Sequence, residues 1–205
     1  MRPRGVPGIV AALFGTVLLV GALPVAADAA SCPETKLVQP FAKIEERERR
    51  TPGYYSLVAG GDFEAGEAAW TLSGGAKVGA GGAKNPLTEV EGKSSLDLPK
   101  GAVATSPITC VEPNDRTFRF LARDEGGEAI LLVSVVYESS EGNKVHQVGT
   151  LMLGSAGWGT SPILETKVER ASEISSGVAH MSLRFTAAKG TARIDDVYLD
   201  PRMRR

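Results

Sequence analysis

Ala179-His180-Met181-Ser182-Leu183-Arg184-Phe185 alternates apolar and polar residues without a break. Successive side chains of a β-strand point to opposite faces. Ala179, Met181, Leu183 and Phe185 therefore share one face, and His180, Ser182 and Arg184 share the other. A helix would scatter both sets around its axis. The same alternation puts Phe118, Phe120 and Ala122 opposite Thr117, Arg119 and Arg123. Both segments read as half-buried strands of an antiparallel sheet.

Working outward, short β-branched or aromatic runs recur from Tyr54 onward, separated by turn residues such as Glu112-Pro113-Asn114-Asp115, Glu125-Gly126-Gly127 and Glu141-Gly142-Asn143. About ten strands are expected: Tyr54–Val58, Ala69–Leu72, Ala76–Gly79, Ser94–Leu98, Ala102–Cys110, Thr117–Arg123, Ala129–Ser139, Val145–Leu153, Val178–Ala187 and Ala192–Asp200. With no helical crossover among them, the economical fold is all-β, two packed antiparallel sheets in one domain over residues 54–201. Residues 31–53 form a charged leader. Its Ile44–Arg50 run fits about two surface helical turns, stopped by Thr51-Pro52-Gly53. There is no internal repeat.

Arg2 and Arg4, the apolar run Ile9–Leu23 and the small residues around Ala27 and Ala29 follow the order of a secretory signal peptide over residues 1–30. The run is short for a membrane anchor and is interrupted or ended by Gly15, Gly21 and Pro24. The mature chain keeps two cysteines, Cys32 and Cys110. In an oxidising compartment an even count reads as one disulfide. Lipidation of Cys32 is the alternative, but Ala29-Ala30-Ser31 lacks the leucine of a lipobox. A net charge of −1 gives no electrostatic case for nucleic acid. The basic tail Arg202–Arg205 reads as a solvated end, and no later segment is apolar enough to span a bilayer. The expected product is a secreted monomer.

Two motifs carry a resemblance. Leu57-Val58-Ala59-Gly60-Gly61-Asp62-Phe63-Glu64-Ala65-Gly66, followed by Ala69-Trp70-Thr71-Leu72, resembles the "GDFE…GW" start of carbohydrate-binding-module-like jelly rolls. Ala192-Arg193-Ile194-Asp195-Asp196-Val197-Tyr198-Leu199-Asp200-Pro201 resembles their closing strand. The whole chain, with Cys32 and Cys110, also resembles small secreted proteins of high-GC Gram-positive bacteria. First and last strands of a jelly roll can lie side by side, which would bring Glu64 near Asp195 or Asp196. Carboxylates so placed repel unless a cation intervenes, and calcium takes such oxygen ligands. The resemblance implies a structural calcium on Glu64 and Asp196, with Asp195 as the alternative ligand. The plainer expectation is that Asp195 and Asp196 end the sheet in hydrogen bonds or a salt bridge with Arg193.

For a ligand, two surfaces compete. Sugar rings stack on flat aromatic faces, yet aromatics are only 6% of the chain, which narrows the choice. Trp70 reads as core, which leaves Trp158 in its glycine-flanked segment, where the resemblance instead implies a Trp that begins a strand and packs inward. The second candidate is the polar side of the central strands, where Arg119, Arg123, His146, His180 and Arg184 could share a face toward an anionic or polyhydroxyl ligand. Such a row is otherwise a solvated sheet surface. Catalysis has little support. No H-E-x-x-H is present, and Leu153-Gly154-Ser155-Ala156-Gly157 lacks the first glycine of G-x-S-x-G. The sequence thus favours a non-catalytic module for a carbohydrate or cell-wall polysaccharide. Its alternatives are an adhesive surface protein that binds another protein and, third, a glycoside-active enzyme whose two carboxylates are hidden in the sequence.

Overall fold

The computed structural model describes residues 31–201 apart from 68, 127, 155 and 156. The expected signal segment, the basic tail and the Ser155-Ala156 pair fall outside the described residues. In chain order the elements are β1 (Leu37–Val38), α1 (Ala42–Arg47), β2 (Tyr55–Leu57), β3 (Thr71–Ser73), β4 (Lys77–Ala80), β5 (Ser94–Leu98), β6 (Val103–Thr105) and β7 (Thr109–Val111). There follow β8 (Asp115–Asp124), β9 (Ala129–Tyr137), β10 (Lys144–Leu153), β11 (Gly159–Thr160), β12 (Leu164–Glu165), β13 (Ala179–Lys189) and β14 (Ala192–Pro201). Every expected strand is present. The segment from Ala102 to Cys110 divides into β6 and β7 around Ser106-Pro107, because proline offers no N–H to a ladder.

All pairings are antiparallel and form an eight-stranded and a six-stranded sheet. The eight-stranded sheet is built on β14. One edge of β14 pairs with β8; its other edge pairs first with β5 and then with β2. In the six-stranded sheet the order is β10, β9, β13, β6, β3, with β7 sharing the β6 edge of β13.

Apolar positions of the alternating strands meet between the sheets. Phe118, Phe120, Leu131, Val133, Leu183 and Phe185 are fully or almost fully buried there. Trp70 joins them, its ring stacked on Phe185 at 6.0 Å, while its Nε1–H donates to the Ala59 carbonyl at 3.2 Å. Tyr137 is also core, and its hydroxyl donates to the Thr166 carbonyl at 2.9 Å.

The leader departs from expectation. Its helix starts at Ala42, and Phe41 and Glu45 are buried rather than at the surface. The Phe41 ring meets Tyr55 edge-on at 5.1 Å and Tyr198 at 5.8 Å. The Glu45 carboxylate accepts from the Tyr55 hydroxyl at 2.6 Å and from the Gly53 N–H at 2.8 Å, beside the guanidinium of Arg119. The charged run is held because one of its carboxylates finds three partners on or near the sheet. The leader thus covers the outer face of the eight-stranded sheet where β2, β14 and β8 adjoin, and leaves its β4–β5 side, with Lys77, Asp97 and Arg193, uncovered. A disulfide joins its start, Cys32, to Cys110 on β7 of the other sheet.

Candidate functional site

The leader covers part of the outer face of the eight-stranded sheet, and beyond its Cys32 end none of its contacts reach the outer face of the six-stranded sheet, which is open among the described residues. Register aligns its side chains into rows. Thr71 of β3 lies opposite Thr105 of β6, Thr105 opposite Arg184 of β13, Arg184 opposite Ser134 of β9, and Ser134 opposite Gln147 of β10. All five are exposed or half-buried, and the residues flanking Arg184 along β13 point into the core. The next row is Ser73, Val103, Thr186, Leu132 and Thr150. At the usual strand spacing the five strands carry each row over about 19 Å. The face is a band of hydroxyl, amide and guanidinium groups beside two aliphatic side chains, a surface able to meet both the hydroxyls and the C–H faces of a sugar chain.

The expected basic row is split between the two sheets. His180 and Arg184 lie on the open face of β13, where His180 Nδ1 stands 3.8 Å from Glu173. Arg119 and Arg123 lie on β8 of the other sheet. Arg119 is buried beneath the leader, with its Nη1 3.7 Å from Glu45, its Nη2 3.7 Å from Glu48 and its guanidinium 5.2 Å from the Phe41 ring. Arg123 pairs with Glu125 and lies 5.0 Å over the ring of Trp158. Trp158 is half-buried against the cluster of Phe41, Tyr55, Leu121 and Tyr198. His146 points inward on β10, its ring 6.4 Å from Tyr137. Thr71, Thr105, Ser134 and Gln147 were not singled out in the sequence. Each is a polar position on a strand, but their alignment depends on cross-strand register, which no single segment encodes.

The first and last motifs meet at a second place. The register of β14 against β8 shifts between Asp195 and Tyr198, and Asp196 takes a left-handed φ of 50°. This bulge inserts one residue, so Ile194 and Val197 both face the core while Tyr198 faces out. Gly61 docks on the bulge: Val197 N–H donates to the Gly61 carbonyl at 3.0 Å. Asp62, Glu64, Asp195 and Asp196, with Asn85, line a cavity of about 270 Å³. Asp195 accepts from the Ala83 N–H through Oδ2 at 2.7 Å and from the Asp196 N–H through Oδ1 at 2.8 Å. Asp196 Oδ1 accepts from the Asn85 side chain at 3.0 Å, and Glu64 Oε1 accepts from the Lys93 and Ser94 N–H groups at 2.8 and 3.1 Å. Burial, then the charges of Asp196 and Glu64, push the Asp195 carboxyl up to about 8 against these hydrogen bonds. Burial and the charges of Asp62 and Glu64 raise Asp196 to about 6. Arg193 does not neutralise them; it pairs with Asp97 and Glu125. The donors are all oxygens, the set that calcium prefers. Among the described residues, however, no three acidic, histidine or cysteine side chains stand together closely enough to hold a metal ion.

No protein-family model matches the chain, and no curated protein does. Carbohydrate-binding modules are among the solved structures that match. One is the CBM22-1 xylan-binding domain of Paenibacillus barcinonensis Xyn10C, at 15% identity and a TM-score of 0.47, covering 67% of this chain and 88% of that one. Another is the C-terminal family 22 carbohydrate-binding module of Clostridium thermocellum Xyn10B, at 17% identity and 0.42, covering 69% and 91%. A third is TmCBM61 in complex with β-1,4-galactotriose, at 21% identity and 0.41, covering 71% and 97%. Among the described residues, no helix is long and apolar enough to cross a membrane.

Proposed function

We propose that the chain is a secreted, non-catalytic carbohydrate-binding module whose ligand lies across the open face of the six-stranded sheet. The observation that carries this reading is the row Thr71, Thr105, Arg184, Ser134, Gln147, aligned by register across five strands. The chain's own leader occupies part of the opposite face, and the two central rows contain no carboxylate of the pair that glycoside hydrolysis requires. The disulfide supports an oxidising compartment. Affinity electrophoresis through gels containing soluble polysaccharides tests the reading, with xylan and β-1,4-galactan, the ligands of the matched modules, as neutral probes. Retention is expected to fall about tenfold or more in the double variant Arg184→Ala, Gln147→Ala and to persist in Trp158→Ala, whose ring lies on the other sheet. Absence of retention in a broad panel of neutral and acidic polysaccharides would overturn it.

We also propose a structural calcium at the β14 bulge, with Glu64 and Asp196 as ligands and Asp195 as the alternative. Its support is the pair of buried carboxyls, Asp195 and Asp196, which burial and then neighbouring carboxylates hold above their ordinary values beside the exposed Glu64. Bound there, the ion would tie the first motif to the last strand. Binding is expected to raise the melting temperature in millimolar calcium relative to EDTA; identical transitions would remove the ion from the account.

A second reading, adhesion to another protein, draws on β10. This outermost strand pairs only with β9 and exposes Val145 and Met152, the condition for strand addition by a partner. Binding of that kind would be indifferent to Arg184→Ala.

A further inference from the structure

Arg184 is the only formal charge in the two central rows of the open face. Among the described residues it has neither an ion-pair partner nor a side-chain hydrogen bond, and it is half-buried. Three arginines on the outer side of β8 and β14 are, by contrast, paired: Arg119 with Glu45 and Glu48, Arg123 with Glu125, Arg193 with Asp97 and Glu125. Three partly buried hydroxyl residues stand beside Arg184: Thr105 and Ser134 across the neighbouring strands, and Thr186 two residues along its own, while Ser182 on the other side is buried. Directly opposed side chains lie about 5 Å apart, and alternate residues of one strand about 7 Å. The hydroxyls of Thr105, Ser134 and Thr186 are therefore within reach of a small group seated on Arg184.

The two rows contain no aromatic ring. The ring that a neutral sugar would stack on is missing from this face: Trp70, Tyr137 and the phenylalanines described are buried, Tyr55, Tyr198 and Trp158 belong to the other sheet, and the exposed Tyr54 directly precedes β2 of that sheet. Neutral hydrogen bonds made in exchange for water contribute little net affinity each. A planar fork of donors with no counter-ion gains most from a carboxylate, which it can engage through two parallel charge-assisted bonds.

Building on the reading of this face as a sugar-binding surface, we infer that its ligand is a carboxylated polysaccharide, a polymer of uronic acids, with one carboxylate seated on Arg184. The flanking hydroxyls then contact the same residue of the polymer, and Leu132 and Val103 contact the C–H face of its neighbours.

The experiment compares polygalacturonate, the same polymer with its carboxyls methyl-esterified, dextran sulfate, xylan and β-1,4-galactan, using the folded chain with its disulfide intact. Polygalacturonate is expected to bind best, to weaken about ten- to a hundredfold in Arg184→Ala and Arg184→Gln, and to weaken in wild type as salt rises from 0.05 to about 0.5 M. Equal binding of the acid and its ester, or no effect of salt, overturns the inference even if Arg184 variants fold poorly. Stronger or equal binding of dextran sulfate overturns the choice of carboxylate. Retention by xylan or galactan alone defeats the inference but leaves the carbohydrate reading standing, whereas no retention by any polymer defeats both.

Discussion

Glu45 and Arg119 each give up water at the boundary between the leader and the sheet, and each relies on the other. The Arg119 Nη1 has no hydrogen bond of its own, and its Nε–H donates to the Ser161 carbonyl at 3.2 Å. Removing one member of a buried pair costs about 3–5 kcal/mol when the other charge is left uncompensated, and the exposed Glu48 compensates Arg119 only in part. Glu45→Ala is therefore expected to lower stability by an amount of that order in urea titration, while Glu46→Ala, on the exposed side of the same helix, shifts it by less than about 0.5 kcal/mol. This pairing could not be read from Ile44–Arg50, whose charges look alike in sequence. What separates Glu45 from its neighbours is a strand arginine more than seventy residues away and the phenol of Tyr55. A second prediction concerns the bulge carboxylates. Their folded values, about 8 for Asp195 and about 6 for Asp196, lie above the ordinary 3.8. Over that interval the folded chain holds protons that the unfolded chain has released. Their contribution is fully present below about pH 4 and is lost as the pH rises through 6 and then 8. In EDTA the melting temperature is expected to fall between pH 5 and pH 8, and calcium is expected to flatten the fall. A metal-free profile that rises over this range would contradict both assignments.

At the scale of elements, alternation located the strands because each buries one face, so Phe118, Phe120 and Ala122, or Met181, Leu183 and Phe185, carry the pattern locally. The bulge in β14 was not legible in this way. The Ile-Asp-Asp-Val run has two polar residues where a regular strand has one, but the sequence does not say which is inserted. The partner settles it: the turn after β2 approaches so closely that a Cβ on Gly61 would lie 2.9 Å from the carbonyl oxygens of both Val58 and Val197. Backbone oxygens cannot swing aside as a flexible side chain can. Gly61→Ala is therefore expected to cost about 1–3 kcal/mol by overpacking, with a larger loss than Gly66→Ala, measured by thermal melting. Gly66 has open space around its Cβ position, although its φ of 81° carries its own strain. Equal losses at the two positions would indicate that docking of the first motif on the bulge contributes nothing to stability.

For the molecule as a whole, the leader works as a strap. It starts at Cys32 on the six-stranded sheet, crosses to the other sheet, adds β1 to the edge of β2, and lays Phe41 and α1 over the outer face. Two consequences follow from that path. The eight-stranded sheet is covered where β2, β14 and β8 adjoin, while the six-stranded sheet keeps its outer face open. The strap is also tied covalently by a bridge spanning 78 residues of sequence. A loop of that length restricts the unfolded chain by about 4 kcal/mol in the entropic treatment. The paired substitution Cys32→Ser, Cys110→Ser is accordingly expected to destabilise the fold by about 2–4 kcal/mol. Because the Phe41 and Glu45 contacts lie beyond the bridge and do not depend on it for their geometry, the leader is expected to stay docked in the folded variant. Amide exchange can separate these effects. If the bridge acts mainly on the unfolded chain, protection is expected to fall uniformly across both sheets and α1 alike. If the leader is held chiefly by its covalent tether, amides of α1 and β1 will lose protection first while β9 and β13 keep theirs. The buried Glu45–Arg119 pair and the Phe41 ring between two tyrosines favour the uniform loss. Polysaccharide retention on the far sheet should then survive removal of the disulfide under conditions where the variant is folded.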